Sequence, residues 1–232
     1  MIGELPSPFD SVMTLARITL LRLTRGKALY ICVLIAALPV FYAAVMHAFR
    51  STTGPDAIMG FEMLGLALLP PVFVAASIGE EIEERTSTYL WSRPIPRWAV
   101  MVGKLVALVP IAIVLILGSW FAAVKIGAET TPSLRSFVAL GAGTIAISLV
   151  SGGIAAMLPK HGMAFAVIYL IVDATVGIMP FSLADLSLTH QVRVLADVYH
   201  LEPAMKTPII AMVVVSAIWT TLGFWRIRRL EV

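Results

Sequence analysis

The chain has 232 residues, of which 59% are hydrophobic and 13% charged, and its mean hydropathy is +0.93. So large an apolar fraction exceeds what a soluble domain of this size buries in its core, which excludes an ordinary soluble enzyme and leaves the lipid bilayer as the main solvent. The net charge of +3 comes from basic residues beside apolar runs, so it indicates membrane topology and not nucleic-acid binding.

The first predicted element is an amphipathic helix over residues 8–28, which Asp10 or Ser11 would cap. Polar residues occupy one half of its helical wheel, and apolar residues occupy the other half: Val12, Leu15, Ala16, Leu20 and Leu23. We expect this helix at the cytoplasmic interface, with its apolar side in the acyl boundary and its arginines towards anionic headgroups. The alternative is a plain cytoplasmic extension of the first span.

Six apolar runs follow, each close to the roughly 20 helical residues that a hydrocarbon core of about 30 Å requires. The sequence therefore predicts an all-helical membrane protein with a single transmembrane domain over residues 1–232. Its spans are Leu29 to Ala48, Ile58 to Ile78, Ala99 to Val124, Phe137 to Leu158, Met163 to Phe181 and Pro208 to Trp225.

The basic residues predict the orientation of these spans, because Lys and Arg near span ends are retained in the cytoplasm. An even number of spans places both termini on one side, and that side carries 12 of the 17 basic residues. We therefore expect cytoplasmic termini and a cytoplasmic segment 79–98. The 12 residues are Arg17, Arg22, Arg25, Lys27, Arg85, Arg93, Arg97, Lys104, Lys160, Arg226, Arg228 and Arg229.

Segment 79–98, between the second and third runs, is a dense patch of charge in a chain that otherwise has little. Four glutamates lead into Arg85, Thr86 and Leu90, then into the triplet Ser92-Arg93-Pro94, a further Arg97 and the pair Gly103-Lys104. This pattern resembles the loop of the permease subunits of type-2 ABC exporters. It departs from the pattern at Arg85, where the family usually has Gly, and at Ser87, where it usually has Leu.

The resemblance implies that segment 79–98 is a coupling helix that docks on a separate ATPase. Charges would orient the partner and Tyr89 with Trp91 would anchor it, while prolines stiffen the return to the membrane. The alternative is an ordinary solvated loop. The predicted docking residues are Glu80, Glu81, Glu83, Glu84, Arg85, Thr86, Tyr89, Leu90, Trp91, Arg93, Pro94 and Arg97.

The resemblance also implies a bacterial inner-membrane exporter that contains two permease copies, identical or related, surrounded by lipid, and two copies of the ATPase. The chain has no GxxxxGK[ST] phosphate-binding loop, so we expect it to have no catalytic residue and to bind no cofactor or metal itself. ATP and Mg²⁺ would bind to the partner ATPase.

A different function is suggested by Glu80, Glu81 and Arg85, which spell EExxxR, a motif that resembles that of intramembrane metalloproteases. Paired glutamates there activate water, but membrane-embedded histidines must complete the site. The four histidines of this chain lie near span ends or in the external segment: His47, His161, His190 and His200. This hypothesis is therefore the least favoured.

Asp173 of the fifth run suggests the main rival function, a proton- or ion-coupled secondary transporter. It is far from either end of its predicted span, where an acid costs about 2.5–3.5 kcal/mol on insertion scales. The simpler interpretation is a packing hydrogen bond to Tyr169, one turn earlier, or to a threonine.

The external segment 182–207 is too polar to span the membrane, yet it has helical order. His190, Arg193, Asp197 and His200 share one side of a helical wheel, so the sequence predicts an amphipathic helix on the outer interface. Related permeases have re-entrant helices here. We expect an Arg193–Asp197 ion pair and no metal site, since the arginine opposes a cation.

Overall fold

The computed structural model describes residues 7–49, 54–83, 97–180, 182–197 and 206–229, and within these ranges every regular element is helical. The all-helical prediction is therefore confirmed. The longer helices are α1 (Pro8–Arg25), α2 (Ala28–Ala48), α3 (Pro55–Pro70), α4 (Ala76–Glu83), α5 (Arg97–Gly127), α6 (Leu134–Met157), α7 (Gly162–Val176), α8 (Leu188–Leu195) and α9 (Lys206–Arg229).

Five helical stretches in the described ranges are long and apolar enough to cross a bilayer. The predicted fifth span corresponds to α7, which has 15 residues and a length of roughly 22 Å, less than the hydrocarbon thickness. The predicted count of six is therefore not confirmed. The five stretches are Ala28–Ala48, Pro55–Gly79, Trp98–Gly127, Leu134–Met157 and Lys206–Arg229.

The spans differ in how much of their surface the rest of the chain covers. In Pro55–Gly79 and Leu134–Met157, 67% of the apolar window is buried, whereas in α2 and α9 only 22% is buried. Helices α3 and α6 thus form the centre of the bundle, and α2 and α9 lie at its edge. Their large exposed side chains, such as Phe41 and Val213, suit contact with lipid tails.

A π-helical turn, Pro71–Ala75, joins α3 to α4 and keeps them in one continuous span. Its cause lies in the adjacent residues Pro70 and Pro71, which lack the amide hydrogens that two α-helical hydrogen bonds would need. Widening the backbone by one residue per turn re-pairs the neighbouring carbonyls, which a span in lipid requires.

Helix α1 begins at Pro8, as the predicted range 8–28 does, but Ser7 caps it and not Asp10 or Ser11. The Ser7 hydroxyl accepts a hydrogen bond from the Asp10 backbone N–H at 3.1 Å. The apolar side of α1, expected in lipid, packs instead against α5, where Leu15 and Ala16 are buried. The outward side keeps exposed apolar residues as well, including Leu21.

Candidate functional site

The predicted docking segment is described by the structure only at its two ends. Glu80, Glu81 and Glu83 belong to the last turns of α4, and Arg97 is the first residue of α5. The other predicted docking residues lie outside the described residues, and their roles stay predictions: Glu84, Arg85, Thr86, Tyr89, Leu90, Trp91, Arg93 and Pro94.

The beginning of the segment is held by close packing at Gly79. A Cβ atom at this position would lie 2.8 Å from the carbonyl oxygen of Pro159, in the 3₁₀ turn Pro159–His161 that follows α6. Any side chain would force these backbones apart. Because Gly79 has no side chain, α4 lies directly against the end of the central helix α6.

Just after the segment, the chain is held in α5 at Gly103 and Lys104, the pair that the motif contains. A Cβ atom on Gly103 would lie 2.9 Å from the Leu15 Cβ atom, so α1 crosses α5 at this residue. Lys104 is buried, and its ammonium donates a hydrogen bond to the carbonyl oxygen of Ser77 in α4. Both ends of the segment are thus fixed to the same framework of α1, α4, α5 and α6.

Asp173, the predicted pathway residue, belongs to α7 and is 7% exposed, and its carboxylate faces the N-terminus of α8. One carboxylate oxygen accepts from the Leu188 N–H at 2.8 Å. The other accepts from the Thr189 N–H at 2.9 Å, the Thr189 hydroxyl at 2.8 Å and the Ser187 hydroxyl at 3.1 Å. A carboxylate satisfies the free amides at a helix start, and the helix dipole favours its charge there.

The carboxylate oxygens of Asp173 are therefore occupied in joining α7 to α8. The threonine partner that the sequence suggested is Thr189. Tyr169 makes an edge-to-face contact with the Trp219 ring instead, with centroids 5.4 Å apart. This arrangement supports a structural role and does not favour the secondary-transporter hypothesis.

Glu62 is the buried acid that sequence reasoning missed. It has no exposed surface, and one of its carboxyl oxygens accepts from the Ser119 hydroxyl at 3.2 Å. The other oxygen has no hydrogen-bond partner within the described part of the chain. The predicted span began at Ile58, which placed Glu62 near a span end. Because α3 begins at Pro55, Glu62 lies two turns, or roughly 10 Å, inside the helix.

The polar residues of segment 182–207 are arranged differently from the prediction. Asp197 pairs with Arg135 at the start of α6, at 2.9 Å, so the expected Arg193–Asp197 pair is wrong. The chain leaves helical geometry at Asp197, whose φ is 65°, so the i,i+4 spacing of a regular helix does not apply to this pair. Among the described residues, no group of three or more His, Cys, Asp or Glu side chains is placed to hold a metal ion.

Helix α8 of segment 182–207 has one side buried within the chain, and this side does not face lipid. Leu188, Val192 and Leu195 are fully buried against α6 and α9. The hydrogen bond from the Gln191 side chain to the Asp185 carbonyl oxygen, at 2.6 Å, closes the preceding turn. The segment therefore packs into the bundle in the part that the structure describes.

A comparison with models of known protein families shows which family has this arrangement. The family model described as ABC-2 family transporter protein matches residues 17–181, which is more than half of the chain. This chain belongs to the ABC-2 transporter family. No curated protein sequence matches the chain significantly.

The family match confirms the resemblance to a type-2 ABC permease. It runs from α1 to the end of α7, so it contains the anchored ends of segment 79–98. The protein is therefore a multi-pass membrane protein and an ABC transporter permease, and ABC-2 membership implies association with an ABC ATPase subunit.

Proposed function

We propose that this ABC-2 permease is the membrane subunit of an ATP-driven exporter of the bacterial inner membrane. Two permease copies, both with six spans and cytoplasmic termini, assemble with two ATPase subunits that bind ATP and Mg²⁺. The permease has no catalytic site of its own, since its sequence contains no phosphate-binding loop.

In this proposal, segment 79–98 is the coupling element between the ATPase and the membrane. The observation that supports it best is the anchoring of both segment ends, at Gly79 against Pro159 and at Gly103 against Leu15. The Lys104 hydrogen bond to Ser77 ties α5 to α4 at the same place. A push on the segment is transmitted to the bundle because its ends do not move independently of α1 and α6.

Movement of the segment changes the side of the membrane from which a central pathway is accessible. Closure of the ATPase dimer on ATP moves the segment, and the two permease copies rotate as nearly rigid bodies from inward to outward access. The closely packed centre formed by α3 and α6 carries this motion, since packed helices transmit strain with little compression.

The test is a detergent pull-down of the tagged full-length chain from its native membrane, followed by mass spectrometry. We expect the wild type to recover an ABC ATPase, identified by its phosphate-binding loop, and a Tyr89→Ala, Trp91→Ala, Arg93→Glu triple variant to lose it. The anchors of a docked interface contribute most of its binding energy, so the expected loss is at least tenfold.

The matched control has the same three types of substitution outside the segment: Tyr30→Ala, Trp225→Ala and Arg228→Glu. These three side chains are exposed and lie at helix ends on the same predicted side of the membrane. ATPase recovery with the control but not with the segment variant supports the proposal. Equal recovery with both variants would show that the segment does not dock the ATPase.

A further inference from the structure

A cavity of about 330 Å³ lies beside the anchored ends of the segment, between α1, the start of α2, the π-turn and α5. Three basic side chains line it: Arg22 near the end of α1, Lys27 at the start of α2, and Lys104 of α5. The described residues that line the cavity include no acidic side chain. Basic side chains therefore supply all the charge in the described part of the cavity wall.

The rest of the cavity wall is largely apolar, with Leu23, Phe73 and Leu108 among the lining residues. A second depression of about 280 Å³ adjoins it and shares Ile18, Arg22 and Gly26 with it. This depression also includes Leu21, and both Ile18 and Leu21 are about half exposed. The cavity with its three basic side chains thus opens onto the apolar outer side of α1.

We propose that this cavity binds the phosphate headgroup of an anionic phospholipid, whose acyl chains lie along Ile18 and Leu21. Basic pockets between helices attract anionic headgroups, and each basic side chain near the surface contributes to the attraction. The apolar exit selects a membrane lipid over a soluble phosphate, because exposed aliphatic surface contributes binding energy only if acyl chains cover it. The proposal relies on the proposed function for one point, which is that the cavity faces the anionic cytoplasmic leaflet.

The position of the lipid would connect it to the segment. Lys104 holds α5 to α4 through Ser77, and it also lines the cavity. A bound headgroup beside Lys104 therefore bridges α1, α2 and α5 at the base of segment 79–98, and it stabilises the framework on which the ATPase would act.

Native mass spectrometry of the purified full-length chain tests this proposal with three probes. These are phosphatidylglycerol, phosphatidylcholine with the same acyl chains, and water-soluble glycerol phosphate. We expect the wild type to retain phosphatidylglycerol in preference to phosphatidylcholine, and excess glycerol phosphate not to displace it. Equal retention of the two lipids would overturn the proposal, and displacement by glycerol phosphate would overturn its assignment to a lipid.

Two matched variants locate the site. Arg22→Gln with Lys27→Gln removes two of the three charges that line the cavity, and we expect phosphatidylglycerol binding to weaken on the order of tenfold. The control, Arg226→Gln with Arg228→Gln, removes two basic charges near the end of α9, which lie outside the cavity lining. An equal loss in both variants would show only general charge attraction and would overturn the site.

The lipid-binding results can fail or succeed independently of the ATPase pull-down that tests the proposed function. Lipid binding in detergent does not depend on the orientation of the chain in a membrane or on an ATPase. Lys27→Gln alone gives a second variant if the double variant does not fold, because Lys27 is exposed between two helices. An unchanged lipid preference in this variant, with the fold intact, would also count against the site.

Discussion

Two acids are buried among the residues whose burial the structure describes, Asp173 and Glu62, and their surroundings are opposite. Asp173 accepts four hydrogen bonds from residues at the start of α8. Glu62 accepts one, from Ser119, and its second oxygen has no partner in the described part of the chain. Burial of an acid alone therefore does not distinguish a structural residue from one that is available for another role.

The difference follows from the type of backbone that each acid faces. Asp173 faces a helix start, which supplies unpaired amide groups and a favourable dipole. Glu62 faces the side of α5, where the backbone amides are already paired within the helix and only a side chain such as Ser119 is able to donate. We therefore expect Asp173 to be required for stability and Glu62 to be dispensable for it.

The largest expected effect is that of Asp173→Ala. The change leaves the buried donors of Leu188 and Thr189 unpaired, so we expect the free energy of unfolding to fall on the order of 3 kcal/mol. Thermal unfolding of the purified chain in detergent measures this loss. Asp185→Ala is the control, since Asp185 is an exposed acid one turn before α8. Equal melting temperatures for the two variants would show that the Asp173 carboxylate does not stabilise the fold.

A smaller effect is expected from Ser187→Ala, which tests whether the cluster acts through the helix cap. The Ser187 hydroxyl accepts a hydrogen bond from the His190 N–H at 3.1 Å, and it donates one to the Asp173 carboxylate. Loss of such a cap costs about 1 kcal/mol. Ser182→Ala, at an exposed serine of the preceding 3₁₀ turn, should leave the unfolding temperature unchanged. A loss as large as that of Asp173→Ala would mean that the carboxylate is not the centre of the cluster.

The smallest effect is expected from Glu62→Met combined with Ser119→Ala. Replacing both partners of an isolated buried hydrogen bond by apolar groups is close to neutral or stabilising, so the free energy of unfolding should change by no more than about 1 kcal/mol. Thermal unfolding of the purified chain in detergent measures this change as well. A loss comparable to that of Asp173→Ala would show that Glu62 has stabilising partners beyond Ser119, and the contrast between the two acids would fail.

The helical class and five of the spans were predictable from composition and run length, because lipid requires long apolar helices. The short length of α7 was not predictable in this way. The apolar run continues to Phe181, but the helix ends before Gly177, where a Cβ atom would lie 2.6 Å from the Ser187 hydroxyl. The chain turns at this point because α8 returns to pack against the bundle. Such a long-range contact leaves no periodic signal in the sequence.

The predicted sites were recovered unevenly for similar reasons. The Gly103-Lys104 pair was found as part of a motif, and the structure adds the physical reason, a helix crossing and a hydrogen bond to Ser77. Glu62 was missed because its depth depends on where α3 begins, and helix ends are the least certain part of a sequence-based prediction. The Arg135–Asp197 pair joins residues 62 positions apart, which no local spacing rule reveals.

The π-turn at Pro71–Ala75 also determines the direction in which the chain leaves the bundle. Each α-helical residue turns the chain by about 100°, so the extra residue of the π-turn rotates everything after it by that angle about the span axis. Deletion of one residue there would restore a regular helix and swing Gly79 away from Pro159. The azimuth of α4 about the span axis is thus fixed by two adjacent prolines within the span.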